Sequence, residues 1–192
     1  MPNQSGAALL TVVMILAVVS LLGMSALQIS VLSEHSARND RDYQIAWQAA
    51  ETALMDAEDD IEGRVEAEFL GSRSDLFNGK NQASFVQGCG NTGDSRGLCL
   101  PNSSGEPIWL QIKLADHSSG SFSVAFGTFT GRHFPTGSGL RSAQLPRYVI
   151  EAVTDYGASS ASEASNKVYR ITAIGFGPRE HTQVVLQTVY RM

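Results

Sequence analysis

The pattern of apolar and polar positions changes twice along this chain. From Ala7 to Leu32, 26 residues pass without a charge or a proline, and the first charged side chain is Glu34. Coiled as a helix they span roughly 39 Å at about 1.5 Å per residue, against roughly 30 Å for the hydrocarbon core of a bilayer. The stretch is long enough to cross a membrane. After Glu34 the apolar positions narrow to a stripe. Tyr43, Trp47, Ala50, Leu54, Ala57, Ile61 and Val65 recur at spacings of three and four, which places them on one helical face. No proline interrupts residues 7 to 70, and the only glycines there are Gly23 and Gly63. The simplest reading is one helix of about 55 residues, apolar all round over residues 7–33 and amphipathic over 34–70. Its stripe, Tyr43, Trp47, Ala50, Leu54 and Ile61, is expected to pack on the rest of the protein. Asp42, Asp56, Asp59, Asp60 and Glu66 fall on the remaining faces and are expected to lie in water.

Beyond residue 70 the period shortens to two. Ile108, Leu110, Ile112 and Leu114 alternate with other residues, as do Phe122, Val124 and Phe126, and both runs predict strands. Three more strands are predicted from Arg147, Val168 and Thr182. The last two are joined by the turn-rich Gly177-Pro178-Arg179-Glu180-His181, which points to an antiparallel hairpin. Residues 71–106 and 131–146 are rich in Gly and Ser and read as loops. A helix followed by an antiparallel sheet makes the fold α+β, with residues 71–192 forming a β-rich globular part.

Charge and cysteine content narrow the function. Acidic residues outnumber basic ones 19 to 14, and 11 of the 19 lie between Glu34 and Glu68, so the basic footprint of a nucleic-acid binder is absent. Cys89 and Cys99 lack the paired spacing of a zinc site. Closing a Gly-rich loop, they make better sense as a disulfide of an oxidising compartment such as a periplasm. The basic residues nearest the apolar stretch, Arg38 and Arg41, lie on its C-terminal side and by the positive-inside rule favour the opposite orientation. An ordinary signal peptide fits poorly, because such apolar regions run about 7 to 15 residues behind a positive segment and Met1-Pro2-Asn3-Gln4-Ser5-Gly6 carries none.

Candidate chemistry is thin. Gly93-Asp94-Ser95-Arg96-Gly97 matches the nucleophile-elbow pattern with Ser95 as nucleophile, but that elbow needs a strand before it and a helix after it. His35, His117, His133 and His181 are scattered, with no ligand-spaced partners. The cluster Asp56, Glu58, Asp59, Asp60 and Glu62 lacks the glycine turn of a calcium loop and reads as a solvated helix face. Asn102-Ser103-Ser104 fits a glycosylation sequon. Gly23, with Ser20, Ser25 and Ser30, offers small surfaces for close packing of membrane helices. No metal or cofactor is expected.

A short leader ending at Gly6, an apolar helix beginning at Ala7, an amphipathic continuation and a sheet together resemble a type IV pilin precursor. The stretches GAALLTVVMILAVVSLLGMSAL and AWQAAETALMDAE, with PRYVIEAV and YRITAIGFG near the end, resemble the PilX family of minor pilins of Gram-negative bacteria. The resemblance implies a type IV pilin-like fold, leader removal between Gly6 and Ala7 by a prepilin peptidase, N-methylation of Ala7, and a part in priming pilus assembly. Its implied partners are the lipid bilayer, an inner-membrane assembly platform, other minor pilins and a tip adhesin. The implied location is the inner membrane with the globular part in the periplasm, and the pilus tip after assembly.

Two features depart from the pilin pattern. The leader has no basic residue, and Thr11 stands at the fifth position after the cut, where most pilins carry glutamate. A carboxylate in hydrocarbon costs on the order of 2.5 to 3.5 kcal/mol unless it meets a partner, and the partner that the pilin resemblance implies is the positively charged N-terminus of the neighbouring subunit above. A subunit with Thr11 suits the first position, as the resemblance to glutamate-lacking minor pilins and type II secretion K pseudopilins also implies. The competing readings are such a pseudopilin, for which 192 residues leave little room for the expected inserted domain, and a β-rich enzyme or binding module on an uncleaved anchor.

Overall fold

A computed structural model describes residues 7–77, 82–101, 106–153 and 168–192. The leader with Gly6 and the Asn102 sequon lie outside them. Helix α1 runs from Ala7 to Glu62. The chain falls into two compact units, Met1–Arg41 and Asp42–Met192. In the first, the large apolar side chains are exposed, Leu9 at 72% and Leu32 at 69%. That is the composition of a helix with no protein core of its own.

In the second unit α1 ends at Glu62; its 56 residues agree with the expected length, and its end falls eight residues short of the expected boundary at 70. Gly63 adopts φ 73°, the left-handed conformation in which L-residues with a Cβ are strained, and the Arg64 N–H donates to the Asp59 carbonyl at 2.9 Å. This is the capping geometry of a helix C-terminus closed by glycine.

The strands are β1 (Val86–Gln87), β2 (Leu98–Leu100), β3 (Val124–Ala125), β4 (Arg147–Val153), β5 (Val168–Phe176) and β6 (Gln183–Arg191). They form one sheet in the order β1-β2-β4-β5-β6, with β3 pairing beside β2 on β4. The sheet is mixed, not wholly antiparallel: β1·β2 and β2·β4 are parallel, and β3·β4, β4·β5 and β5·β6 are antiparallel. The hairpin expected at Gly177–His181 joins β5 to β6.

Two predicted strands differ. Ile108–Gln111 is a single turn of helix, α2, which begins after Pro107. Ile108 and Ile112 share a face four residues apart, while Leu110 is 50% exposed, so the apparent alternation did not mark a strand. The run from Phe122 pairs only over Val124–Ala125, because Gly127 turns the chain at φ 76°.

Alternation sorts β4, β5 and β6 onto two faces. Tyr148 and Ile150, with Tyr169, Ile171 and Ala173, pack beneath Ala53, Ala57 and Ile61 of α1, and Val184 packs beneath Ala46 and Ala50. On the other face Val149, Ile174 and Phe176 are covered by Ile108 and Leu114 and by Cys89 and Cys99. Strand β5 is therefore covered on both sides.

The helical stripe is rotated from its predicted position. Tyr43 and Trp47, expected against the sheet, are 48% and 40% exposed and meet in a tilted contact with ring centres 6.2 Å apart, while Trp47 Nε1 donates to Glu51. Ala50 and Ile61 are buried in the core and Leu54 is half-buried at its edge. The inward face belongs to Ala46, Ala49, Ala50, Ala53 and Ala57. Small side chains win because α1 crosses β5 at Gly175, where its backbone comes too close for a ring.

Candidate functional site

The first surface is the apolar half of α1. It is long and apolar enough to cross a membrane by length and composition. Ala7 is the first described helical residue. Within this half, Thr11 Oγ1 donates to the Ala8 carbonyl at 2.9 Å, Ser20 Oγ to Leu16 and Ser25 Oγ to Leu21. Each hydroxyl finds an acceptor inside its own helix, which removes the cost of an unmet polar group in hydrocarbon. Just beyond the apolar run, Glu34 and Arg38 form an exposed ion pair one helical turn apart.

The second surface is organised by the acidic end of α1, and here the sequence reading is corrected. Asp42, Asp56, Asp59 and Asp60 are buried, not solvated. Burying a carboxylate without partners is costly, so each has acquired them. Asp60 takes Arg73 in a two-oxygen contact at 2.6 to 3.1 Å and also accepts from the Tyr148 hydroxyl at 2.9 Å. Asp59 pairs with Arg64 and Arg132. Asp56 accepts from the Gly127 N–H at 2.8 Å and from Thr130 Oγ1. Asp42 pairs with Arg179 of the β5–β6 turn at 2.8 Å.

This network carries the helix end into the loops. The Arg73 guanidinium lies 3.6 Å over the Phe129 ring, and its Nη1 donates to the carbonyls of Asp94 and Arg96 at 2.6 Å each. Both carbonyls belong to the loop closed by the Cys89–Cys99 disulfide. Asp60 thus positions Arg73, and Arg73 holds the disulfide loop. Burial, and next the Asp60 carboxylate, push the Tyr148 hydroxyl well above its ordinary pKa, so it remains a donor. Burial also raises Asp56, against the hydrogen bonds from Thr130 and Gly127.

The other candidates take ordinary places. Ser95 lies in a 3-10 turn with β2 after it, and its Oγ donates to the Thr92 carbonyl at 2.8 Å, so the strand-turn-helix of a nucleophile elbow is not formed there. His117 stands against Phe176 at 5.4 Å, its pKa lowered first by burial. Among the described residues no group of His, Cys, Asp and Glu is placed to hold a metal ion. Arg73, Thr130 and Arg132, which complete the clamp, were missed in the sequence. The available clue was four aspartates within the stripe's own turns, too many for one outward face.

Residues 5–54 match the PilX N-terminal model, and residues 95–192 match the model of the C-terminal part of the type IV pilus assembly protein PilX. The chain belongs to the PilX family. Membership implies a minor pilin of type IV pilus assembly, a structural component working among other pilins. No curated protein and no solved structure gives a significant match. The N-terminal match covers the apolar half of α1 and its entry onto the sheet, and the C-terminal match covers most of the sheet and Asp60's partner Tyr148.

Proposed function

We propose that this PilX-family protein helps to initiate type IV pilus assembly and occupies the tip of the filament with other minor pilins. It enters the inner membrane as a precursor with residues 42–192 in the periplasm, loses its leader between Gly6 and Ala7, and is methylated at Ala7. Residues 7–33 then leave lipid for a bundle of pilin helices, driven by close packing of small and apolar side chains. The prepilin peptidase, the assembly platform, neighbouring minor pilins and a tip adhesin are its partners. The mechanism is assembly, without turnover of a substrate.

The observation that carries the tip position is Thr11. Its hydroxyl is satisfied by the Ala8 carbonyl, so the position neither needs nor offers a charge for a subunit above. The test is Thr11→Glu in the native host, with pili counted and the minor-pilin complex isolated. A carboxylate at a position with no neighbour above it is expected to reduce both. Unchanged assembly overturns the tip position. Mass spectrometry of the membrane-extracted protein reads the processing separately: a mature chain starting at methylated Ala7 is expected, and an intact Met1 overturns it.

A further inference from the structure

Arg147 opens β4 opposite Ala125 of β3, and it is buried, with only 5% of the residue exposed. An arginine stays charged in a protein, so the cost of burying it falls on whatever surrounds it. Its Nε donates to Ser123 Oγ at 2.7 Å and its Nη2 to the Ser123 carbonyl at 2.6 Å. Both acceptors are neutral. Ser123 Oγ gives its one proton to the Leu114 carbonyl at 2.9 Å, so Ser121 Oγ, 3.0 Å away, donates to Ser123 Oγ in turn. The serine pair therefore returns no charge to the guanidinium. Among the described residues no carboxylate stands within ion-pair distance of Arg147, whereas Arg73, Arg132, Arg170 and Arg179 each have one. The remaining nitrogen, Nη1, makes no bond there. Every buried side-chain nitrogen and oxygen among the described residues has a partner, so Nη1 is the atom through which Arg147 reaches the surface.

A second guanidinium without a carboxylate grips the same loop. Arg96, half-buried in the disulfide loop, donates from Nε to the Asn91 carbonyl at 3.2 Å and from Nη2 to the Ser119 carbonyl at 2.8 Å. Ser119 and Ser123 stand four residues apart, so the two cations hold one short segment between them. Burial first, and the Arg96 charge next, lower the Arg147 pKa from its ordinary value, while Asp116 opposes them. Asp116 is itself bonded by the Ser118 N–H and hydroxyl at 2.9 Å each. Two positive charges thus meet one acid. Arg73 shows how the fold treats the same task elsewhere: it too holds loop carbonyls, those of Asp94 and Arg96, but it has Asp60 as its counter-charge.

We propose that Arg147 Nη1, supported by the charge of Arg96, binds a small oxyanion, either a free phosphate or the carboxylate of another molecule. A guanidinium nitrogen is a strong donor to such oxygens, and the bond is charge-assisted. The slight exposure of Arg147 admits a single oxygen atom and excludes a bulky group laid flat. The bound anion supplies the counter-charge that the loop itself lacks. The proposal goes beyond the assembly role and does not depend on the place in the filament.

Anion titrations of the full chain in nonionic detergent micelles test it. Thermal unfolding is followed in sodium phosphate against sodium chloride of equal ionic strength. A saturable rise in the midpoint is expected, about 3 to 6 °C at ten times the dissociation constant. Sodium acetate in the same series separates the sources: saturation by acetate as well assigns a carboxylate, and saturation by phosphate alone assigns free phosphate. Arg147→Met should abolish the saturable part. Arg96→Gln should weaken the fitted affinity, and Asp116→Asn, which removes the opposing charge, should tighten it, each about threefold or more. Neither change touches a bond of Arg147, so these two carry the test if Arg147→Met fails to fold. No saturable rise with either salt overturns the site. So does a linear rise shared by wild type and Arg147→Met, which is the general salting effect of phosphate. Affinities unchanged in both Arg96→Gln and Asp116→Asn overturn it as well.

Discussion

A Cβ placed on Gly175 would lie 2.2 Å from the Ala46 carbonyl oxygen and 2.3 Å from the Ala50 backbone nitrogen. Helix α1 therefore crosses β5 backbone to backbone, and the neighbouring atoms are main chain that cannot swing aside. Gly175→Ala is expected to cost about 1 to 3 kcal/mol or more, read as a drop in the denaturation midpoint. Ala46→Ser, whose side chain starts from an existing Cβ, should cost less. Equal stability of Gly175→Ala and wild type contradicts the close crossing.

The Asp60–Arg73 pair predicts an asymmetry. Asp60→Ala leaves a buried guanidinium without its carboxylate, and breaking a buried pair in this way typically costs about 3 to 5 kcal/mol. The double change Asp60→Ala with Arg73→Met should cost clearly less than the sum of Asp60→Ala and Arg73→Met made singly. Chemical denaturation of the four proteins in a double-mutant cycle measures it, and simple additivity would refute the coupling.

Asp56 predicts a pH dependence. Its folded-state pKa is raised, chiefly by burial, so folding binds protons. Its contribution is fully present below the unfolded-state value and is lost as the pH rises through the folded-state value. Asp56→Asn keeps an acceptor for the Gly127 N–H and gives Thr130 Oγ1 a donor, without the ionisation. The variant should gain on wild type as the pH rises above the ordinary carboxylate range in denaturant titrations. Parallel stability curves for the two proteins would remove Asp56 as the cause.

The disulfide predicts a local and a global effect. Replacing Cys89 and Cys99 together by serine should cost about 3 kcal/mol by loop-closure entropy. Since the Asp94 and Arg96 carbonyls sit on Arg73, hydrogen exchange should also quicken at Arg73 and at Gly127 and Thr130 around the neighbouring carboxylates. Faster exchange confined to residues 89–99 would show that the loop and the helix end are uncoupled.

The sequence by itself determined the parts whose physics is local. An uncharged run of 26 residues can be recognised as a membrane-length helix without any knowledge of neighbours. The strands from Arg147, Val168 and Gln183 and the hairpin at Gly177–His181 were legible for the same reason, because strand pattern and turn residues are adjacent in the chain. The helix stop was less legible, because Val65 continues the apolar period past Gly63, where the helix ends.

Only the tertiary structure decided which face of α1 turns inward, because that depended on Gly175, more than a hundred residues away, admitting alanines and excluding Tyr43 and Trp47. It likewise decided that Asp56, Asp59 and Asp60 are buried, since a carboxylate can leave water only where distant residues such as Arg73, Thr130, Arg132 and Tyr148 arrive to bond it. Ile108–Leu114 was settled by the same kind of fact. Its alternation was compatible with a strand, but Ile108 and Leu114 lie over Val149 and Ile174 on the face of the sheet, and the segment takes one helical turn there instead.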